Sequence, residues 1–213
     1  MKNLNKNYNV NSMTKKITTF LFITALLLVL SCSKDETKIE PVVYQEEDFL
    51  DGFLTASLFK NLTTNVINSN DYELGTEFIP LLKGKITSIN VKLPEANNAL
   101  RVTIWDLNTG VKLKTVLVDV VTRNTIINLD IEDINLIKNN EYAITMNSND
   151  WYTHRKNRET FGVATPPVIY PFTVGNIKII GSKTLLGTAQ TYPTTVFNEE
   201  YRGDLSFNFL RTE

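Results

Sequence analysis

The sequence predicts a mainly β protein: an antiparallel β-sandwich over residues 71–213, with a short helical element ahead of it. Three observations carry this. Apolar residues alternate with polar ones in Ile89/Val91/Leu93, Leu100/Val102/Ile104, Val116/Val118/Val120, Ile127/Leu129/Ile131, Tyr142/Ile144/Met146, Ile177/Ile179 and Leu205/Phe207/Phe209. A period of two turns one face of each strand toward a core. Turn formers separate the runs, at Pro94–Asn98, Asn108-Thr109-Gly110, Lys138-Asn139-Asn140 and Asn147–Asp150. No long helical pattern lies between them, which argues for sheet packed on sheet and against an α/β fold.

The chain opens differently. Lys15 and Lys16 precede an apolar run from Ile17 to Leu30, closed by Ser31 and Cys32. A basic start, a short apolar stretch and a small residue make a secretory signal over residues 1–31. The run is shorter than the ~20 apolar residues of a membrane span, and it contains Thr18, Thr19 and Thr24. Residues 1–12 are polar and Asn-rich, and Met13 before Thr14-Lys15-Lys16 reads as the more natural start. Cys32, directly after a small residue, resembles the lipobox of bacterial lipoproteins. The resemblance implies cleavage before Cys32, a diacylated thiol and an acylated new N-terminus, so that a membrane is reached through lipid. Two or more acyl chains hold stably, at ~0.8 kcal/mol per buried methylene. Ser31–Glu36 is also similar to the maturation site of Bacteroidota lipoproteins, where a lysine with acids after the cysteine accompanies export to the outer leaflet. Lys34-Asp35-Glu36 occupy those positions. This implies a lipid-anchored outer-membrane protein displayed at the cell surface, although lysine and acid pairs are also common in solvated linkers.

Four of the 22 basic residues precede Cys32 and none of the 23 acids does, which leaves 18 basic against 23 acidic residues, a net charge of about −5. Nucleic acid is therefore not an expected partner, since its binding needs a clustered cationic surface. Cys32 is the only cysteine. No disulfide can staple the fold, and packing alone must hold it.

Residues 32–45 are charged, contain Pro41 and lack a sustained apolar pattern, as a tether would. Residues 46–70 hold a short helix and a linker. Phe49, Leu50, Phe53, Leu54 and Leu58 recur at helical spacing within Glu46–Lys60, acids first and Lys60 last, with Gly52 weakening the pattern. From residue 71 the chain resembles an uncharacterised bacterial β-sandwich domain found in extracellular proteins, sometimes beside carbohydrate-active modules. The stretches that carry this are Tyr72–Phe78, Gly84–Ile89, Leu100–Asp106, Tyr142–Met146 and Gly203–Phe207. The resemblance implies a jelly-roll-like fold and brings no catalytic residues. Thr165–Pro171 fits no pattern.

Little points to an enzyme. His154 is the only histidine, so a site built on several imidazoles is excluded. A Ser-His-Asp triad would have to use it, and no nucleophile elbow is present. Asp130, Glu132 and Asp133 are candidate carboxylates for glycoside hydrolysis, but they sit in a strand-and-turn setting typical of solvated acids. The stretch Asn147–Arg158 is richer, reading as a long loop with Trp151, Tyr152, His154 and Arg155. Aromatic rings stack under sugar C–H faces while their polar tips bond hydroxyls. Tyr192, with Tyr170 and Phe172, lies on other loops and would complete a platform. Alternatively, Trp151 turns inward and plugs the end of the sandwich. Trp105 points away from the Ile104 face and is either buried or a platform on the sheet. Asn68-Ser69-Asn70-Asp71-Tyr72 recurs as Asn147-Ser148-Asn149-Asp150-Trp151. Asp71 and Asp150 are thereby calcium candidates, against the plain reading of Asn, Ser and Asp as turn formers. Arg202-Gly203-Asp204 spells an adhesive tripeptide at a strand start and is taken as chance. The expected function is non-catalytic binding of a glycan or another extracellular ligand through end loops. The alternative is an assembly subunit that binds an envelope protein, and a hydrolase comes third.

Overall fold

The alternating runs are strands, and each buries the face its apolar residues mark. Along the chain come β1 (Glu47–Asp48), the helix α1 (Phe49–Ala56), β2 (Phe59–Val66), β3 (Tyr72–Pro80), β4 (Gly84–Lys92) and β5 (Asn97–Asp106). Next are β6 (Val111–Val120), β7 (Ile127–Leu136), β8 (Tyr142–Ser148), β9 (Asp150–Lys156) and β10 (Phe172–Val174). The chain closes with β11 (Ile177–Leu186), β12 (Thr195–Phe197), β13 (Glu200–Arg202) and β14 (Asp204–Arg211). This computed structural model describes residues 42–56, 59–67, 70–156 and 169–213, with Val43–Glu213 forming one unit. The signal segment, Cys32 and the tether up to Pro41 lie outside the described residues, as do Asn68, Ser69 and Arg158. No helix among the described residues is long and apolar enough to cross a membrane.

Three antiparallel sheets form. One has the order β1-β14-β4-β7. A larger one runs β10-β11-β3-β8-β5-β6, with β12 also beside β11. The third is β13-β9-β2. The first two face each other across a core that includes Leu74, Ile89, Val102, Ile144, Met146 and Phe207, the layered arrangement expected of a sandwich. Phe78 on β3 and Phe207 on β14 meet across the layers, with ring centroids 4.6 Å apart.

The small sheet arises from a bend. β3 pairs with β8 in the large sheet, and β2 pairs with β9 in the small one. Only Asn149 separates β8 from β9, and Ile67 N donates to Asn149 O at 2.8 Å within the bend. The two strand pairs are thus one ribbon that leaves one sheet and becomes part of another. Asn70 and Asp71 on one side and Asn147–Asp150 on the other flank this corner, where short side chains that tolerate turn geometry are useful. On the other side, Gly203 joins β13 to β14 with φ at +85°. A Cβ there would also lie 2.7 Å from Met146 Cε, so glycine is needed for both conformation and space.

Helix α1 is shorter than the sequence predicts, because Glu47 and Asp48 pair with β14 and the chain turns to strand again at Phe59. Eight residues do not sustain a helix alone; packing does. Phe49 lies 4.9 Å from the Phe207 ring, and Phe53, one turn on, sits among Tyr201 at 5.1 Å, Phe59 at 5.4 Å and Phe172 at 5.4 Å. Burying each phenylalanine contributes roughly 1.5–3 kcal/mol. Asp48 caps the helix, its Oδ1 accepting from Leu50 N at 2.9 Å. Gly52, the apparent weak point, is where the helix passes β10: a Cβ there would lie 2.6 Å from Val174 Cγ1. Residues 59–66, read as linker, are instead β2, an edge strand whose Leu62 and Val66 are exposed.

Candidate functional site

The stretch from Asn147 is not a loop but the end of β8 followed by β9. Trp151 is only 5% exposed. Its ring meets Tyr72 edge-on at 5.3 Å, and its Nε1 donates to Thr153 Oγ1 at 3.2 Å. Tyr152 is buried too, with its hydroxyl bonded to Asn124 Oδ1 and Lys92 Nζ 4.8 Å from its ring centroid. Burial raises its phenol above the usual range. His154 Nε2 lies 2.6 Å from Asp204 Oδ1. Arg155 is exposed and bonds Glu200 Oε2 at 2.5 Å.

Tyr192 belongs elsewhere. It lies edge-on to Trp105 at 5.7 Å, and its hydroxyl donates to Glu77. Trp105 is buried on the outer face of the large sheet, its Nε1 donating to Thr145 Oγ1 at 2.9 Å. Thr145 in turn bonds Glu73, which is 1% exposed and takes Arg101 Nη2 at 2.9 Å. Gln190 covers this network by donating to Thr103 and Thr115. The five residues singled out from sequence therefore form no open aromatic platform. Asp150 Oδ2 accepts from Glu95 N at 2.8 Å, and its Oδ1 takes the Ser148 hydroxyl at 2.9 Å. Burial raises this carboxyl above its ordinary range, against those hydrogen bonds. Asp71 is half-buried, and its carbonyl accepts from Gly187 N at 2.8 Å. Among the described residues no group of three or more acid, histidine or cysteine side chains could hold a metal.

A cleft of about 160 Å³ lies between α1 and the strands β4 and β14. Asp48 and Asp51 come from the helix start, Asn90 and Lys92 from β4, and Asp204 and Ser206 from β14. Register makes the meeting: Asp204 stands opposite Lys92 and Ser206 opposite Asn90. The period that points Ile89 and Val91 inward leaves Asn90 and Lys92 outward, and likewise Asp204 and Ser206 around Leu205. Asn90 Nδ2 donates to Asp48 Oδ2 at 3.0 Å and to Asn208 Oδ1 at 2.8 Å. Lys92 Nζ is 3.0 Å from Asp204 Oδ2. Leu50, Leu54, Val91 and Ile126 supply apolar wall. Ser206 is fully buried, and its hydroxyl has no hydrogen-bond partner among the described residues. The cleft is smaller than the ~300–1,000 Å³ of drug-sized sites, so it suits one ring or a short chain.

Sequence reasoning missed this site. Its one usable signal was the row of short polar residues on the outward positions of the last strand and of its neighbour, where charged, solvated side chains are more usual. No protein-family model matches the chain, and no curated protein matches it.

Proposed function

We propose that the chain is a surface lipoprotein of a bacterial envelope, held by acyl chains on Cys32, whose sandwich is a non-catalytic binding module. Its ligand, a sugar ring of a glycan or a small polar molecule of similar size, sits in the cleft beside α1. The observation that carries this reading is the cleft itself, where polar groups from α1, β4 and β14 converge beside an apolar wall. Asp51, at the exposed start of the helix, offers acceptors for ligand hydroxyls, and the leucines offer a surface for C–H faces.

Clustered carboxylates also suit a glycosidase, but two of the three are engaged here. Asp48 caps the helix and binds Asn90, and Asp204 binds Lys92 and His154. A general acid must hold a proton to give, whereas both of these act as acceptors. That supports binding over hydrolysis. A second reading, docking of another envelope protein, draws support from Val111, Leu113 and Leu117, which are exposed along the edge strand β6. The test is a glycan array probed with the purified chain and with Asp51→Ala. The reading expects a glycan signal that Asp51→Ala weakens while its melting temperature stays near wild type. An array that stays blank, with cross-links from β6 to an envelope protein, would replace it with the second reading.

A further inference from the structure

We infer that β2 pairs with β2 of a second copy of this chain, joining two three-stranded sheets into one of six strands; this is independent of what the cleft binds. The first argument is the condition of the sheet edges. A strand with one free side offers a row of N–H and C=O groups to any other chain, and natural edges are guarded by shortness, charge or bulges. Among the described residues, the strands with a single strand neighbour are β1, β2, β6, β7, β10, β12 and β13. β1, β10, β12 and β13 are two or three residues long. β7 carries Asp130, Glu132 and Asp133, and β6 carries Lys112, Lys114 and Asp119. β2 is eight residues long, and its Leu62-Thr63-Thr64-Asn65-Val66 holds no charge, proline or glycine. Its register against β9 is unbroken from Asn61 to Val66. It is the long edge left unguarded.

The second argument is the side chains, which choose the occupant. Thr63 and Asn65 turn to one face, where Asn65 Nδ2 donates to Thr153 Oγ1 at 2.8 Å. Leu62, Thr64 and Val66 turn to the other and are exposed, Leu62 at 54% and Val66 at 48%. A two-fold axis through Thr64, normal to the sheet, sets two copies antiparallel. Leu62 then stands opposite Val66 of the second copy, Val66 opposite its Leu62, and Thr64 opposite its Thr64. Two apolar pairs are covered and no like charges meet. Moving the axis to Thr63 or Asn65 would set Leu62 or Val66 against a threonine instead. The strand is thus complementary to itself in one register. A single strand edge of about 20 Å lies at the small end of interfaces, so association belongs to the micromolar range.

Sedimentation velocity of the full chain in density-matched detergent, from about 1 to about 200 μM at low salt, reads the association. Wild type should pass from monomer toward dimer across that range. Thr64→Lys sets two ammonium groups face to face and should weaken the dimer about tenfold or more, at an unchanged melting temperature because the side chain is exposed. Cross-linking reads the register. Directly opposite residues have Cα atoms ~4.5–5.5 Å apart, within the span of a disulfide. Under mild oxidation Thr64→Cys should form a covalent dimer about tenfold faster than Leu62→Cys, whose two copies lie ~13 Å apart along the strands. Wild type measures any bridging through Cys32. A wild type that stays monomeric throughout overturns the inference. So does a dimer that Thr64→Lys leaves equally tight, and so does a Thr64→Cys chain that cross-links no faster than Leu62→Cys.

Discussion

Replacing Trp151 by alanine should unfold the protein more easily rather than simply weaken a ligand. The indole is 5% exposed, belongs to the main core, and meets the Tyr72 ring at 5.3 Å. Truncating a buried tryptophan costs ~3–5 kcal/mol, of which the edge-on ring contact supplies ~0.5–1.5 kcal/mol. Thr153 Oγ1 loses the indole N–H but keeps Asn65 Nδ2 at 2.8 Å, so no polar group is orphaned to add to the loss. Domains of this size have roughly 5–15 kcal/mol in total, so a third or more could go. At ~2–4 °C per kcal/mol, the melting temperature should fall by roughly 6–20 °C. Urea titration and a thermal melt measure the effect, with Tyr152→Phe as the companion. That variant removes only the hydroxyl bonded to Asn124 and should cost about 1 kcal/mol. A Trp151→Ala protein within half a kcal/mol of wild type would show that the ring is not a core element, and the sugar-stacking role first read from the sequence would return.

Phe207→Ala, which strips a buried ring from between Phe49 and Phe78, should cost ~3–5 kcal/mol by denaturant titration, and an unmoved midpoint would contradict the facing of the two sheets. Arg101→Met leaves the Glu73 carboxylate buried without its cation and should cost about 3 kcal/mol, most of it recovered when Glu73→Gln is added; a single variant as stable as wild type would show the pair to be idle. Asp150 has a carboxyl raised by burial, so its contribution to stability is full below the ordinary carboxylate range and is lost as pH rises through its folded value. Asp150→Asn should therefore gain on wild type between about pH 3 and about pH 7, and a flat or opposite trend would refute this. Cys32→Ala should abolish labelling by a palmitate analogue, whereas equal labelling of both chains would remove the lipid anchor.

Strands with one wet face were readable because their side chains keep period: on β7, Ile127, Leu129 and Ile131 pack on the core between exposed Asn128, Asp130 and Glu132. β9 was not readable for the opposite reason. Trp151, Tyr152, Thr153 and His154 are all buried, so both faces are covered and no alternation survives. β2 failed in a third way, since it is an edge strand whose apolar Leu62 and Val66 are exposed. The cleft could not be found by spacing along the chain. Asp48, Lys92 and Asp204 are brought together by pairing register, and Asp204 stood out beforehand only as the end of a tripeptide. Its carboxylate is in fact buried against His154 and Lys92.

The pairing of the first strand with the last also fixes when the fold can close. Glu47 and Asp48 have their partners in Phe209 and Asn208, and Glu46 Oε2 accepts from Asn208 Nδ2 across 162 residues of chain. β2 likewise waits for β9. Long-range pairings of this kind slow folding, because the loop must close before any contact rewards it. A chain emerging N-terminus first would hold β1 without its partner until nearly its whole length had appeared, and β2 until β9 had followed. Threading through a narrow channel would then meet an extended chain, with closure deferred to the far side.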